Sequence, residues 1–249
     1  DRLFPLRPIR PTNQVHQSRL QLNSEQRKRS FRESNRNRKN HFFAYLSKMR
    51  WIYRWGMKRN AIQENVMEHS FEVAVIAHCL AIIGKEKFSS DLDPQKVLAA
   101  AIYHDISEVL TGDLPSPIKY HNRKIRDAYK AVERTAELEM LSTLPKELRG
   151  SYEEWVIHEK QPESIKKLVK AADLVASLVK CKAEVNAGNR EFANAITDVE
   201  QRLMAMQIPE VDYFLQQFMP SYDLTLDELI THSEALFPDN ADMTDEEHR

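Results

Sequence analysis

Apolar residues recur every three to four positions from residue 41 onward, which is the spacing of amphipathic helices. The most apolar run, NVMEHSFEVAVIAHCLAII at 65–83, predicts a helix that Asn65 or a neighbour caps. Further helices are predicted at 41–52, 123–144, 146–160, 162–188 and 190–206, with shorter ones after Pro209 and Thr225. No convincing run of alternating residues predicts a strand, and glycine is scarce at 5. The pattern therefore predicts an all-α helical bundle.

One predicted helix, over residues 93–110, carries clear boundary signals at both ends. Asp93 is a suitable N-cap, and Pro94 would occupy the first helical position. The helix is expected to end at Thr111-Gly112, because glycine tolerates the positive φ that is common at a helix C-terminus.

Composition allows one sizeable domain, since the 249 residues are 42% hydrophobic. The formal net charge of −1 gives no electrostatic reason to expect a nucleic-acid or membrane partner. Charge is uneven, however: the first forty residues hold eleven basic side chains and only three acidic ones. We predict a disordered basic extension at 1–40, most simply a solvated tail rather than a nucleic-acid-binding arm, a domain at 41–235, and a frayed acidic tail at 236–249.

The location of the protein is predicted from its cysteines and its apolar runs. Cys79 and Cys181 both lie in apolar helical patterns, which favours two buried, reduced thiols. No apolar run is expected to reach the length that spans a bilayer, and no signal-peptide core follows the basic N-terminus. These features favour a cytoplasmic protein.

The stretch YHDISEVLTGDLPSPIKY at 103–120 concentrates ionisable groups beside an apolar run. On a continuous helix, His104, Asp105 and Glu108 could point to one side. Burying such groups is costly unless something positive holds them. A metal ion, a salt-bridge network or a solvated surface would each meet that need.

A metal site would need ligands from other helices, and two candidates stand in apolar surroundings. His69 lies in the run at 65–83, and Asp173 lies within KLVKAADLVASLV. Taken alone, His69 is more often a core histidine, and Asp173 more often an ion-pair partner of Lys170. Together with His104 and Asp105 they would give two imidazoles and two carboxylates. That set suits Co, Mn, Zn, Ni or Fe better than copper or calcium, and it makes a hydrolase a reasonable expectation.

The motifs together resemble those of a known family. They are RW at 54–55, ENVMEHS at 64–70, YHDISEVLTGDLPSPIKY at 103–120 and KAADLVASLVKC at 170–181. Over roughly residues 41–235 the chain resembles the bacterial HD-domain 5′-deoxynucleotidases. The resemblance implies an HD-domain helical fold, one divalent metal ion, and hydrolysis of deoxyribonucleoside 5′-monophosphates to deoxynucleoside and phosphate. It also implies a homodimer, and it leaves the basic extension unexplained.

The same resemblance implies a role for each matching residue. It implies metal ligation by His69, His104, Asp105 and Asp173, catalysis by Arg54, Glu108 and Asp113, and substrate binding by Arg54, Trp55, Asp105, Asp113, Leu114, Pro115, Ser116 and Asp173. Arg54 would orient the phosphate, since a guanidinium fork suits a phosphate dianion. Trp55 would lie beside the sugar. Each assignment has a simpler rival: a surface arginine, a core tryptophan, a glutamate that is solvated or that orients His104, and a loop-capping aspartate. As a functional residue, Asp113 would either accept a bond from the sugar 3′-hydroxyl or assist proton transfer, and both roles stay open.

Two other functions remain open at the level of sequence. The first keeps the site but changes the substrate, giving an HD-domain phosphodiesterase or another small phosphomonoester hydrolase. The second is a regulatory domain that binds a nucleotide without turning it over. The presence of Arg54, Glu108 and Asp113 beside a complete ligand set argues against the regulatory domain.

Overall fold

The computed structural model of the protein describes residues 40–234. The predictions for the basic extension and for the acidic tail therefore lie outside the described residues. Where the domain at 41–235 begins and ends stays a prediction.

The described residues are mainly helical. The α-helices are α1 (Phe42–Leu46), α2 (Val66–Phe88), α3 (Pro94–Ile102), α4 (Glu108–Thr111), α5 (Ser116–Lys119), α6 (Arg123–Ser142), α7 (Lys146–Val156), α8 (Glu163–Asn186), α9 (Ala193–Met206), α10 (Pro209–Gln217) and α11 (Leu226–Glu234). Short 3₁₀ helices cover Ser47–Trp51, His158–Lys160, Arg190–Phe192 and Met219–Asp223. Across residues 40–234 the extended pairing is limited to one isolated bridge, between Tyr53 and Asn65. The prediction of an all-α fold is confirmed.

Helix α2 is the central element of the core, and its start follows from local chemistry. The Asn65 side chain accepts hydrogen bonds from the backbone N–H groups of Met67 and Glu68. The Glu68 carboxylate accepts the Asn65 N–H in return, at 3.5 Å, which completes a capping box. The buried face of α2 packs against α3, α8 and α10. This packing fixes the helix that carries His69.

The expectation that no apolar run approaches membrane-spanning length is wrong for α2. Its 23 residues, with a mean hydropathy of 1.6 over the most apolar window, are long and apolar enough to cross a bilayer by length and composition. In the structure, 56% of that window is buried inside the fold. The apolar character of α2 therefore reflects its position between three other helices of the core.

The predicted continuous helix at 93–110 is interrupted in its middle. Asp93 caps α3 as expected, and its side chain accepts the Gln95 N–H at 2.9 Å. Helix α3 ends at Ile102, however, and residues 103–107 form tight turns before α4 begins. The backbone bonds here span three residues, as in Ile106 N–H to Tyr103 O at 3.1 Å. His104 and Asp105 therefore lie in a turn, and the sequence-based placement of both residues on one helix face is corrected.

A second, smaller core explains where the chain turns. Ile106 is 1% exposed and packs with residues from α1, α6 and α7. Its partners in this cluster are Phe42, Met140, Leu141, Leu144, Val156 and Ile157. Burying Ile106 there anchors the turn that presents its neighbours His104 and Asp105.

Both cysteines are free thiols, but only one is fully buried. Cys181 is buried, whereas Cys79 on α2 is partly exposed, which corrects the prediction of two buried thiols. Burial raises the pKa of the Cys181 thiol to about 11, so that this thiol is protonated and unreactive at neutral pH.

Candidate active site

The side chains of His69 and Asp173 lie next to each other, although they belong to different helices. His69 lies in the first turns of α2 and is fully buried, and Asp173 lies on α8. The distance from His69 Nε2 to Asp173 Oδ1 is 3.2 Å, and to Asp105 Oδ2 it is 3.7 Å. The other Asp173 oxygen, Oδ2, accepts from Lys170 Nζ at 2.5 Å. Asp173 therefore lies beside the predicted metal ligand His69, and it also forms the ion pair with Lys170 that was the alternative explanation.

His104 is oriented by the carbonyl group at the end of α3. Its Nδ1 lies 2.7 Å from the Ala101 carbonyl oxygen, so Nδ1 carries the proton and donates it. In its neutral form this tautomer has a lone pair on Nε2, which lies 3.1 Å from Asp105 Oδ2. Burial opposes the charged form of His104, but the Asp105 carboxylate raises its pKa. A backbone carbonyl bound to the distal nitrogen is the usual way in which a metal-ligating histidine is oriented.

The residues that would hold a metal fit that role on their own geometry. Ligand atoms of His69, His104 and Asp105 all lie within 4.8 Å of one another. Nε2 of His69 and Nε2 of His104 are buried, and neither has a hydrogen-bond partner among the described residues. Buried polar atoms are rarely left in that state, and a divalent cation would satisfy both lone pairs. The structure brings three of the four predicted ligands into this group, and Asp173 adjoins it through His69.

The charges around the site keep its carboxylates ionised. Burial alone would raise the pKa of Asp105, but His104, His69 and Arg54 together hold it well below its usual range. Burial likewise opposes ionisation of Asp173, and Lys170 and His69 reverse the effect, which lowers the pKa of Asp173. Burial and the charge of Arg54 lower the pKa of His69 and favour its neutral form. Ionised carboxylates and a neutral imidazole are the forms that coordinate metals.

Glu64, which the sequence reasoning missed as a site residue, organises the other side of the site. Its Oε2 accepts from Arg54 Nε at 3.0 Å and from Trp55 Nε1 at 2.8 Å. Its Oε1 lies 3.8 Å from His69 Nδ1. Arg54 Nη1 reaches Asp105 Oδ2 at 3.5 Å. The Glu64 carboxylate therefore holds Arg54 and Trp55 in place, and it also faces the Nδ1 side of His69.

Backbone pairing places Arg54 beside Glu64. The Arg54 N–H donates to the Glu64 carbonyl at 3.0 Å, and the Val66 N–H donates to Ile52 O at 2.9 Å. The segments 52–54 and 64–66 therefore run antiparallel. A signal was present in the motif ENVMEHS, which begins with Glu64, but the pairing itself is not local in sequence.

Trp55 adopts a backbone conformation that is rare for its residue type. Its φ is +61°, in the left-handed region, where a bulky side chain is unfavourable. The ring packs edge-on against the buried Phe192, with centroids 5.3 Å apart. The bond to Glu64 and the contact with Phe192 hold the indole in place, as expected for backbone strain that the surrounding structure maintains.

The two remaining predicted acids lie on α4 and on the loop that follows. Glu108 is 8% exposed, and its Oε2 is buried with no hydrogen-bond partner among residues 40–234. Burial, reinforced by repulsion from Asp105 and Asp113, raises the pKa of Glu108 well above its usual range. Burial also raises the pKa of Asp113, against the opposing charge of Arg54. Glu108 therefore keeps its proton to a higher pH than an exposed glutamate does.

These side chains share one cavity of about 290 Å³. It is lined by Arg54, Trp55, Asp105, Glu108, Asp113, Leu114, Pro115, Ser116 and Asp173, among others. The structure thus brings all the predicted substrate-binding residues to one cavity, although His69 and His104 are not part of its lining. A site with several convergent charged groups in a cavity is the expected form of a small-molecule active site.

Comparison with protein families identifies the fold and the lineage. The model of the YfbR-like 5′-deoxynucleotidase family matches residues 41–222. The chain belongs to this family. Its relatives include a 5′-deoxynucleotidase of Yersinia pestis (strain Pestoides F), 47% identical over 189 residues, which are 76% of this chain and 96% of the relative. A 5′-deoxynucleotidase of Yersinia pseudotuberculosis (serotype O:3, strain YPIII) matches with the same identity and coverage.

Solved structures place this YfbR-like protein in the HD-domain fold. An HD-domain phosphohydrolase from Listeria innocua superposes with a TM-score of 0.64 at 22% identity, over 79% of this chain and 98% of that one. An HD phosphohydrolase of cyanophage S-2L, solved with dA and one catalytic Zn²⁺ ion, gives a TM-score of 0.51 at 17% identity, over 73% and 96%. The prediction of an HD-domain helical bundle is confirmed.

Replacing Glu64 with glutamine is expected to lower kcat/KM of this family member by about tenfold to a hundredfold. Hydrogen bonds to charged groups contribute about 1.5–3 kcal/mol, and glutamine cannot present a carboxylate to Arg54 and Trp55 together. Metal content should stay normal, because Glu64 only faces the back of His69. Steady-state kinetics and metal analysis test this, with Glu86→Gln at the far end of α2 as the control. A kcat/KM equal to that of the parent would reduce Glu64 to a loop-packing role.

Proposed function

We propose that this protein is a metal-dependent 5′-nucleotidase that hydrolyses deoxyribonucleoside 5′-monophosphates to deoxynucleoside and phosphate. One observation carries the proposal: a histidine and aspartate group with two unpartnered Nε2 atoms adjoins a cavity that also presents Arg54, Trp55 and Glu108. Membership of the YfbR-like family and the 47% identity to 5′-deoxynucleotidases support the substrate class.

In this proposal, His69, His104, Asp105 and Asp173 hold one divalent transition metal ion, either Co, Mn, Zn, Ni or Fe. The Zn²⁺ of the cyanophage HD phosphohydrolase supports zinc as a candidate. When bound, such an ion supplies positive charge that polarises the phosphate and lowers the pKa of water. The unpartnered nitrogens and the ionised carboxylates described above support this ligand set.

The chain's own residues bind the substrate and move the proton. Arg54 donates its guanidinium hydrogens to the phosphate, and Glu64 holds the guanidinium in place from the other side. Water attacks the phosphorus as the bond to the 5′-oxygen breaks. Glu108 gives the proton of its buried carboxyl to the leaving 5′-oxygen, and the resulting carboxylate takes up the proton that the water loses. Asp113, next to Trp55, accepts a bond from the sugar 3′-hydroxyl. Leu114, Pro115 and Ser116 enclose the sugar, while Asp105 and Asp173 face the phosphate end of the cavity.

Release of inorganic phosphate tests the proposal against its rivals. The protein is stripped of metal with a chelator, reloaded with single metals, and offered deoxynucleotides, ribonucleotides and cyclic dinucleotides. Deoxynucleotide hydrolysis that returns with metal is the expected result. Preferential cleavage of a cyclic dinucleotide would indicate an HD-domain phosphodiesterase, and binding without turnover would indicate a regulatory domain.

Two broader features belong to the same proposal. We expect a homodimer, which sedimentation of the purified protein can check. Exposed apolar side chains on α2, such as Phe71 at 72% and Val75 at 52% exposure, supply apolar surface that a second copy could cover.

We also propose a cytoplasmic location, because deoxynucleotides are intracellular metabolites.

Replacing Trp55 with alanine is expected to raise activity on AMP relative to dAMP, even if both rates fall. The indole, fixed by Glu64 and Phe192, lies beside the proposed phosphate site, where the sugar must follow. An added 2′-hydroxyl buried without a partner costs about 1–3 kcal/mol, which corresponds to roughly tenfold to two-hundredfold discrimination. The measurement is the ratio of kcat/KM for dAMP and AMP in parent and variant. A constant ratio would assign Trp55 to packing and sugar selection to other residues.

A further inference from the structure

The substrate loop, defined here as residues 112–119, lines the cavity but belongs to no long helix. Neighbouring side chains one turn apart on α6 contact its two ends. We infer that Tyr129 and Glu133 are positioning residues that hold this loop in the shape that the deoxyribose requires. The expected effect on activity rests on the proposed function, whereas the restraint of the loop rests only on the contacts described below.

Tyr129 holds the first end of the substrate loop. Its hydroxyl lies 3.3 Å from Thr111 Oγ1 and 3.4 Å from the Gly112 carbonyl oxygen. Gly112 has φ +71° and ψ 166°, a conformation that is essentially restricted to glycine. The chain therefore leaves α4 at a sharp turn, and the tyrosine hydroxyl lies at that turn.

Glu133 holds the second end. Its Oε1 lies 2.6 Å from Lys119 Nζ, and both side chains are 23% exposed. The Lys119 ammonium also lies 4.9 Å from the ring centroid of Tyr129 and 5.9 Å from that of Tyr120. An ammonium between a carboxylate and two aromatic faces is more confined than an ordinary surface lysine. Tyr129 thus contributes to both ends, through its hydroxyl and through its ring.

The position of the loop matters because of what lies between these two ends. Asp113, Leu114, Pro115 and Ser116 line the cavity, and Trp55 lines the same cavity. Both tethers start from one helix, so α6 sets the distance between the ends of the loop. If the loop shifts, Asp113 moves relative to Trp55, and the pocket for the sugar widens. The phosphate end, formed by α2, α8 and the turn at 103–107, makes no hydrogen bond or ion pair with Tyr129 or Glu133 in the described residues.

Lys119 also lines the cavity, so a direct contact with substrate is the rival explanation. The two explanations predict different variant series. If Lys119 only restrains the loop through its ion pair with Glu133, Lys119→Met and Glu133→Gln should raise KM for dAMP by similar factors. The double variant should then raise KM no more than either single variant does. If Lys119 contacts the phosphate, Lys119→Met should cost far more than Glu133→Gln.

The experiment compares Glu133→Gln, Tyr129→Phe, Lys119→Met and the double variant with the parent. Asp127→Asn is the control, since it removes an exposed carboxylate from α6 without contacting the loop. We expect KM for dAMP to rise by about tenfold in each loop variant, because a displaced loop loses about one hydrogen bond to the sugar. Changes in kcat should be smaller. Inhibition by inorganic phosphate, which fills only the phosphate end, should stay unchanged.

Hydrogen exchange of the backbone amides provides a readout that does not depend on activity. Residues 112–119 should exchange faster in Glu133→Gln and Tyr129→Phe than in the parent and in Asp127→Asn. Unchanged exchange in this segment overturns the inference, whether or not the protein hydrolyses dAMP. An unchanged KM in an active protein, or a loss confined to Lys119→Met, overturns it as well. Absence of dAMP hydrolysis in the parent would instead overturn the proposed function.

Discussion

Asp105→Ala is expected to remove bound metal and phosphate release together. In the structure, Asp105 Oδ2 lies 3.1 Å from His104 Nε2, 3.7 Å from His69 Nε2 and 3.5 Å from Arg54 Nη1. One oxygen thus joins the two imidazoles to the guanidinium. Losing a single electrostatic contact of a transition state costs about 10²–10³-fold in kcat, and Asp105 serves several such contacts. We therefore expect a loss of more than about 10³-fold in kcat/KM.

Metal content after dialysis and phosphate release from dAMP measure this effect. Asp212→Ala, which removes an exposed carboxylate from α10, is the control for the loss of a charge. Circular dichroism checks that the variant keeps its helices. Full activity in a metal-free Asp105→Ala protein would contradict the assignment of the site.

The fold could be predicted where its signals are local. Asn65, Asp93 and Pro162 mark helix starts because capping and the fixed φ of proline act within a few residues. The interruption of the predicted helix at 103–107 has no such local signal, since the alanine-rich run before it continues to favour helix. The chain turns there because Ile106 is buried in the second core, among residues from α1, α6 and α7. Sequence periodicity carries no information about that distant partner set.

The residues of the candidate site also differ in whether a local sequence signal reveals them. His69, His104 and Asp173 stand out in sequence because polar residues in apolar helices need partners, and the structure brings them near one another with Asp105. Glu64 begins the motif ENVMEHS, but its position gives no sign of burial, because a glutamate just before a helix is usually solvated. It becomes a site residue only through the antiparallel pairing of 52–54 with 64–66. The tethers at Tyr129 and Glu133 likewise depend on how α6 packs beside the substrate loop.

Glu108→Gln is expected to leave metal and substrate bound while kcat falls by about 10²–10⁴-fold, the usual contribution of general acid–base catalysis. Glutamine keeps the shape of the side chain, but it cannot carry the proton that the leaving oxygen needs. The buried, unpartnered Oε2 of Glu108 and its raised pKa support a carboxyl that enters the reaction protonated. The substitution breaks no hydrogen bond of Glu108 Oε2 to a neighbouring helix, because this atom has no hydrogen-bond partner among the described residues. The effect should therefore appear in kcat rather than in stability.

The matched control for that prediction is another buried glutamate. Glu137 on α6 is also 8% exposed, and burial raises its pKa to about 7, but it lies outside the cavity and accepts the His158 N–H. Glu137→Gln should therefore alter thermal stability and leave kcat near that of the parent. A fall in kcat of the same size in both variants would mean that a buried glutamine disturbs the fold in general. An unchanged kcat in Glu108→Gln would assign proton transfer to another group, and Asp113, which also lines the cavity with a raised pKa, would then be the acid to test.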